Sequence, residues 1–286
     1  MCGISGFVDK KNILNQNEKK EIALGMANSL LHRGSDSYDF FVKENVVMVH
    51  NRLSIIDVSN RSRQPIINTR GALTYNGEIY NYKNFKEINS YSDTIFLLDF
   101  LSKSQDIQKL DGMFAYAFQN FSEKNISLQV DRFSIKPMYW YEDENFFAWG
   151  SELKVFLKIP GVKFNFNDSQ LEDFMIYRTG VTNETLIKNV FRMLPGESII
   201  YDLTKLEISE KQISIPFLSE PESDIAKNLD VFDVIKTDVK NSLVADVSVG
   251  VQLSGGIDST LIAIIASSYK EKIHTYSIGM EDNNWN

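Results

Sequence analysis

Met1-Cys2-Gly3-Ile4-Ser5-Gly6 opens the chain, and the reading of this stretch decides the fold. A small side chain at position 2 suits removal of Met1, which leaves Cys2 as the mature N-terminus. Its thiol then lies beside its own α-amine. That amine has an unperturbed pKa of about 7.7–8.0, against about 8.5 for the thiol. Near neutrality part of it is free base and can take the thiol proton. Nucleophile and base then reside in one residue. The alternative is a thiol that merely packs. Two glycines flank a short apolar strand over 2–8 and allow close approach of a substrate backbone. Cys2 is the single cysteine, so no intrachain disulfide forms, and a reducing cytoplasm is the simplest setting.

The rest of the composition narrows the class. The 286 residues are 43% hydrophobic and 24% charged, as expected of a globular protein with two domains, or one and part of another. A net charge of −8 leaves no basic surplus for a nucleic-acid backbone. The longest apolar run, Leu261–Ala266, is far shorter than the roughly 20 residues of a membrane span. No basic stretch followed by an apolar one marks a secretory signal.

Working outward from Cys2, helical spacing of Ala23, Met26, Ala27 and Leu30 predicts a helix over 18–31. Short β-like runs follow at 38–43, 45–50, 53–57, 72–75, 113–119, 126–131 and 146–149. Ser92 is placed to cap a helix over 93–102, and another is expected at 168–178. Many short strands with few helices predict an α+β sandwich. Pro216, Pro221 and their Ser/Glu-rich surroundings predict a linker within 206–224. Beyond it come a helix at 225–243, a strand at 247–253, a Gly-rich turn, a helix at 259–270 and a strand at 273–279. This is a parallel β-α-β unit, too small to cover both faces of its sheet.

Three clusters carry chemistry. Asn76-Gly77-Glu78-Ile79-Tyr80-Asn81 offers an amide donor and an unshielded backbone N–H for an oxyanion hole, with Glu78 for a substrate ammonium. It also reads as a β-turn. His50-Asn51-Arg52-Leu53-Ser54-Ile55-Ile56-Asp57 places a guanidinium that can grip a carboxylate in two-pronged fashion, or join a surface ion pair. Asp93 can hold an amino group or simply open a helix. Ser254-Gly255-Gly256-Ile257-Asp258-Ser259-Thr260 joins an apolar strand to a helix, where backbone N–H groups can cradle an anion. A Gly-rich turn with a Ser cap is the other reading. It is not a Walker-type loop, because no GxxxxGK[ST] is present.

Further stretches extend these clusters: His32-Arg33-Gly34-x-Asp36, Asp111-Gly112-Met113-Phe114-Ala115, Ser151-Glu152-x-Lys154 and Leu194-Pro195-Gly196. In this order the whole set resembles the glutamine-hydrolysing asparagine synthetase family. That family has a class II amidotransferase domain followed by an ATP-pyrophosphatase synthetase domain. The resemblance implies an N-terminal-nucleophile αββα sandwich over 2–205 and the start of a parallel α/β domain, adenine-nucleotide alpha-hydrolase-like, over 225–286. It implies that Cys2 attacks the glutamine side-chain amide and releases ammonia through a thioester, with Asn76 and Gly77 on the oxyanion. Arg52 would hold the α-carboxylate, Glu78 and Asp93 the α-amino group, and Leu53, Ser54, Ile55 and Ile56 would line the site. Leu253 and Ile278 would flank adenine. Ser254, Gly255, Gly256, Asp258 and Ser259 would grip the pyrophosphate of Mg-ATP, which glutamine hydrolysis itself does not need. Aspartate is the implied acceptor, and a homodimer is compatible with the family.

The chain departs from the family pattern at Ser35, where Pro is usual. It departs again at Val130-Asp131-Arg132-Phe133-Ser134-Ile135-Lys136-Pro137, which lacks the usual first Arg and the Gly. In relatives this region adjoins the ammonia route. Most of the synthetase half, with its acidic loop and acceptor site, has no counterpart in these residues. Two alternatives stand beside this reading: an amidotransferase with another acceptor in surface-polysaccharide assembly, and a non-catalytic regulatory partner.

Overall fold

The computed structural model describes residues 1–88, 90–214 and 230–279. The chain divides into two units, Met1–Leu218 and Ser219–Asn286.

The first unit runs β1 (Gly3–Asp9), α1 (Gln16–Ser29), β2 (Ser37–Lys43), β3 (Val46–Arg52), β4 (Ile66–Ile67), β5 (Gly71–Ile79) and α2 (Asp93–Ser102). It continues with β6 (Gly112–Asn120), β7 (Asn125–Val130), β8 (Tyr139–Glu142), β9 (Phe146–Gly150), α3 (Asp168–Tyr177), β10 (Val190–Arg192), β11 (Glu197–Asp202) and β12 (Glu207–Ile213). The strands form two antiparallel six-stranded sheets, ordered β10-β8-β9-β1-β3-β2 and β12-β11-β7-β6-β5-β4.

Burial explains how the layers stack. Ile4 and Val8 of β1 meet Ala115, Ala117, Ile126 and Leu128 of the second sheet in a shared core. Phe7 points the other way, onto Ala23, Met26 and Ala27 of α1. On the far side, Leu73 and Tyr75 of β5 pack against Phe96, Leu97 and Phe100 of α2. The period-two alternation of strands and the periodic face of each helix thus build four layers, helix-sheet-sheet-helix. Every residue of β1 is buried, since layers cover it on both faces. Gly6 is required there, because a Cβ would lie 2.3 Å from the Trp149 ring and 2.5 Å from the Val47 carbonyl.

Local signals set the helix ends. Asn15 and Glu18 form a capping box at the start of α1, and Ser92 Oγ accepts from Thr94 N at 3.1 Å at the start of α2. The strand expected at 53–57 is a loop, despite its apolar residues. Asp57 adopts φ 50°, and its carboxylate accepts from Ser59 N, Ser59 Oγ and Ser62 Oγ, which turns the chain back. The linker expected from 206 is strand as far as Ile213. Its polar, charged residues suit an edge position, where β12 pairs with β11. The rest of the expected linker, from 215 onward, lies outside the described residues, as do residues 225–229 of the expected helix. Strands β4, β8, β10 and β11 escape the sequence reading.

The second unit holds α4 (Val231–Ser242), β13 (Gly250–Gln252), α5 (Ile257–Ser267) and β14 (His274–Tyr276), with β13 and β14 parallel. Val239, Leu243, Ile265 and Ala266 form its buried cluster. Ile257, Ile264 and Ile278 are exposed.

Candidate active site

The start of β1, the loop after β3, the end of β5 and the N-terminus of α2 converge on one cleft of about 460 Å³ of empty space. Cys2, Arg52, Leu53, Ser54, Ile55, Ile56, Asn76, Gly77, Glu78 and Asp93 all line it, so every residue assigned to glutamine from sequence meets in one place. Met1, Ser62, Gln64, Tyr75, Thr94 and Lys136 line it too and were not singled out.

Cys2 is held by backbone. Its Sγ lies 3.3 Å from Leu53 N and 3.4 Å from Leu53 O, and Arg33 Nε donates to its carbonyl at 3.0 Å. Burial pushes the thiol pKa up, while Leu53, the terminal amine and Arg52 pull it back. Arg33 is held in turn by Glu152 at 3.2 Å, and Asp36 Oδ2 accepts from Ser54 N at 2.8 Å. Asp36 N also donates to Arg52 O at 3.0 Å, so Ser35 leaves these anchors of the 53–56 loop in place. Gly34 is needed where it sits, since a Cβ would lie 2.4 Å from Asn51 backbone.

Arg52 spends one arm on Ser59 O at 2.7 Å and another on Asp57 O. This fixes the guanidinium at the cleft wall. His50 is a strut between the sheets. Its Nε2–H donates to Tyr75 O at 3.1 Å, and burial holds the imidazole neutral, with its pKa lowered to about 3.

The end of β5 supplies two donors. Asn76 is 1% exposed, yet its Nδ2 has no hydrogen-bond partner among the described residues. Tyr80 N bonds to Asp111 O at 2.8 Å, so in this register the even-numbered residues of β5 face β6. The odd-numbered N–H groups point the other way. Tyr75 N finds Gln64 Oε1 at 2.6 Å and Ile79 N finds Asp93 Oδ2 at 3.2 Å. Gly77 N lies between them, aimed at the same side. A Cβ on Gly77 would lie 2.2 Å from Met113 O, so glycine permits the close pairing with β6. Gly77→Ala is expected to cost roughly 1–3 kcal/mol of stability by forcing the strands apart, and to lower turnover by displacing both donors. Thermal melts and steady-state kinetics check this; parent-like values in both would remove the packing argument.

The two acids are poised together. Burial raises the pKa of Glu78 to about 6, opposed by Lys136, and raises that of Asp93 to about 6, opposed by the Tyr75 hydroxyl at 2.9 Å. To hold an ammonium both are ionised. The glutamine KM is therefore expected to rise as pH falls through about 6. Each carboxyl binds its proton more tightly folded than unfolded. Their contribution to stability is full below their ordinary values of 4.5 and 3.8 and is lost as pH rises through about 6. Acid weakening of binding is thus not unfolding driven by these two groups. Initial rates and thermal melts across this range check both halves.

The altered 130–137 segment also has a clear structure. Val130 stands in the core where the family has Arg. Ser134 takes φ 51°, the left-handed conformation for which the family's Gly is suited.

Residues 1–212 match the family described as glutamine amidotransferase domain, and residues 230–285 match asparagine synthase. The chain belongs to the glutamine amidotransferase domain family. Two Bacillus subtilis (strain 168) relatives are similar throughout this chain. Asparagine synthetase [glutamine-hydrolyzing] 3 is 30% identical over 99% of this chain and 49% of its own length. Asparagine synthetase [glutamine-hydrolyzing] 1 is 31% identical over 98% and 46%. The chain thus spans about half the length of these curated relatives. Among solved structures, the allosteric regulatory enzyme of purine biosynthesis matches with a TM-score of 0.53 at 15% identity, covering 96% of this chain and 65% of that one. The glutamine phosphoribosylpyrophosphate amidotransferase of B. subtilis, complexed with ADP and GMP, matches with a TM-score of 0.50 at 16% identity over the same shares. The amidotransferase unit has the α+β sandwich fold of N-terminal-nucleophile amidotransferases.

In the second unit Ser254, Gly255 and Gly256 join β13 to α5, and Ile257–Thr260 form the first turn of that helix, which begins two residues before the expected 259. Ser254 Oγ and Ser259 Oγ lie 3.0 Å apart, and Gly255 has φ 84°. A Cβ on Gly255 would meet nothing within 4 Å, so this backbone face is open to an anion. Leu253 N bonds to Tyr276 O at 2.8 Å. Among the described residues no helix is long and apolar enough to cross a membrane, and no acidic, His or Cys cluster is arranged to hold a metal.

Proposed function

We propose that residues 2–205 form a glutaminase domain that converts glutamine to glutamate and ammonia, the ammonia being destined for a carboxylate activated by ATP. The observation that carries this reading is the unpartnered Asn76 Nδ2, with Gly77 N facing the same cleft as the Cys2 thiol. A buried donor without an acceptor is costly unless an acceptor arrives during the reaction.

After Met1 is removed, the Cys2 α-amine takes the thiol proton and the sulfur attacks the side-chain amide carbon. The carbonyl π pair moves to oxygen, where Asn76 and Gly77 donate to the resulting oxyanion. As the carbonyl re-forms, the C–N bond breaks and the amine's proton goes to the leaving nitrogen, giving ammonia and a thioester. Water, giving a proton to the Cys2 α-amine, then attacks the thioester carbonyl; the new oxyanion occupies the same donors and collapses with cleavage of the C–S bond, releasing glutamate and the Cys2 thiolate. Arg52 holds the α-carboxylate, Glu78 and Asp93 hold the α-ammonium, and the 53–56 loop forms the wall.

Aspartate is the proposed acceptor, because the matched relatives are glutamine-hydrolysing asparagine synthetases. Ser254, Gly255, Gly256, Asp258 and Ser259 would hold the pyrophosphate of Mg-ATP, and Leu253 and Ile278 would flank the adenine. When bound, ATP supplies the AMP leaving group that ammonia displaces from the acceptor. A reducing cytoplasm suits a working thiol, and a homodimer is the proposed assembly. Glutamate release by the purified chain, with Met1 removed, tests the first half. Absence of glutamate with an intact Cys2 thiol would refute it.

A further inference from the structure

Lys136 is the one lysine lining the amidotransferase cleft among the described residues. It is 6% exposed, and no ion pair or side-chain hydrogen bond is formed by its Nζ among the described residues. The loop that carries it is built around Asp131, which is itself buried. Asp131 Oδ1 accepts from Phe133 N at 3.0 Å and Ile135 N at 3.1 Å. Its Oδ2 accepts from Phe114 N at 3.0 Å and Lys136 N at 3.2 Å. Phe114 is the register partner of Gly77, so one carboxylate ties the Lys136 loop to the strand that holds the oxyanion donors. A cation held at the wall of a cleft, without a partner and partly removed from water, is favoured by negative charge that forms beside it.

We propose that Lys136 sets the charge state of the nucleophile, its ammonium favouring the thiolate of Cys2 and the ionised form of Glu78. It acts through these two groups, as a positioning residue for charge. The direction of each electrostatic effect agrees. Burial lowers the Lys136 pKa, and Glu78, Cys2 and Asp131 oppose that, while Arg33 adds to it. Lys136 also works against protonation of the Met1 amine, which burial and Arg33 lower as well, while Cys2 and Asp36 raise it. Arg52 pulls the thiol down and Asp93 pushes it up; Tyr75, the other titratable group of the cleft, has its pKa raised by burial and by the adjacent acids, and stays neutral. Among these groups Lys136 alone faces both the thiol and Glu78 with no backbone carbonyl or carboxylate occupying its donors.

Because Cys2 is the single cysteine, alkylation reads it without interference. The full chain, with Met1 removed, is treated with iodoacetamide across pH as parent, Lys136→Met, Lys136→Gln and Lys136→Arg. Lys136→Met and Lys136→Gln are expected to move the alkylation midpoint up by about one pH unit, about tenfold slower reaction near neutrality, and Lys136→Arg to restore it. The acid limb of the glutamine KM should move up in the same two neutral variants, since Glu78 loses its cation. Near-UV circular dichroism confirms folding, and the more soluble neutral variant carries the test. Alkylation profiles of a folded neutral variant that superimpose on the parent would overturn the proposal. The KM arm rests on the glutaminase reading and the alkylation arm does not, so failure of one is told apart from failure of the other.

Discussion

Cys2→Ala is expected to abolish glutamate release from glutamine and leave the fold intact. The side chain belongs to none of the apolar clusters among the described residues, and the hydrogen bonds of its sulfur are with the backbone of Leu53. Truncation therefore costs little packing, and the thermal melt should stay near the parent's. The activity has no such reserve. Removing a covalent nucleophile costs roughly 10⁴-fold or more, and the oxyanion donors that remain stabilise an intermediate that no longer forms. Cys2→Ser should also be severely slowed. A weakly basic α-amine can draw a proton from a thiol near neutrality but hardly from a hydroxyl. Retention of the Met1 residue should silence the parent as well, because the amine then sits one residue away from the thiol. Glutamate measured enzymatically from parent, Cys2→Ala and Cys2→Ser checks this. Parent-level turnover by Cys2→Ala would remove the mechanism altogether.

The parts of this site that sequence shows are those whose chemistry lies in the residue type. A thiol at position 2, a guanidinium at a strand end and an amide beside glycine each announce a role. What joins them is tertiary. Tyr75 and Gln64 have no chemical signature, yet Gln64 caps Tyr75 N and the Tyr75 hydroxyl steadies Asp93. The direction of Gly77 N depends on the β5–β6 register, which no local pattern reveals. Lys136 lies inside a segment whose sequence stands out for its missing Arg and Gly, departures that say nothing of a cation at the cleft wall. The Ser134 φ and the Asp131 bonds show why the segment matters: it is a turn wound on one buried carboxylate.

The fold divides along similar lines. Helices with a periodic face and a capping residue were legible, and α2 begins at the residue following Ser92, as its cap demands. The 53–57 stretch reads as strand because Leu53, Ile55 and Ile56 are apolar, but those residues face a cleft. The Asp57 turn overrides β propensity there. β12 was hidden for the opposite reason. An edge strand of Glu, Ser, Lys and Gln looks like a linker until its partner β11 is known.

Asn76→Ala is expected to lower kcat by roughly 10²–10³ with little change in KM, since in the proposed mechanism its amide binds the oxyanion and not the ground state. Arg52→Lys should do the reverse. A hydrogen bond to a charged group is worth about 1.5–3 kcal/mol, so a KM increase of roughly 10–100-fold follows with a smaller effect on kcat. Two features make the contrast sharp. Asn76 Nδ2 has no hydrogen-bond partner among the described residues, so alanine breaks no bond of that amide nitrogen, and the loss is expected to fall on the transition state. Arg52 already donates to Ser59 O and Asp57 O with two of its nitrogens. A lysine ammonium at that position cannot serve both carbonyls and a carboxylate in the same plane, so it gives up the grip, the loop or both. Loosening of the 53–59 loop should then appear as faster hydrogen exchange at Leu53 and Ser54, which flank the thiol. Steady-state kinetics on glutamine separates the two parameters. If Asn76→Ala raised KM as much as it lowered kcat, Asn76 would be a substrate-binding group, and the oxyanion assignment would pass to Gly77 alone.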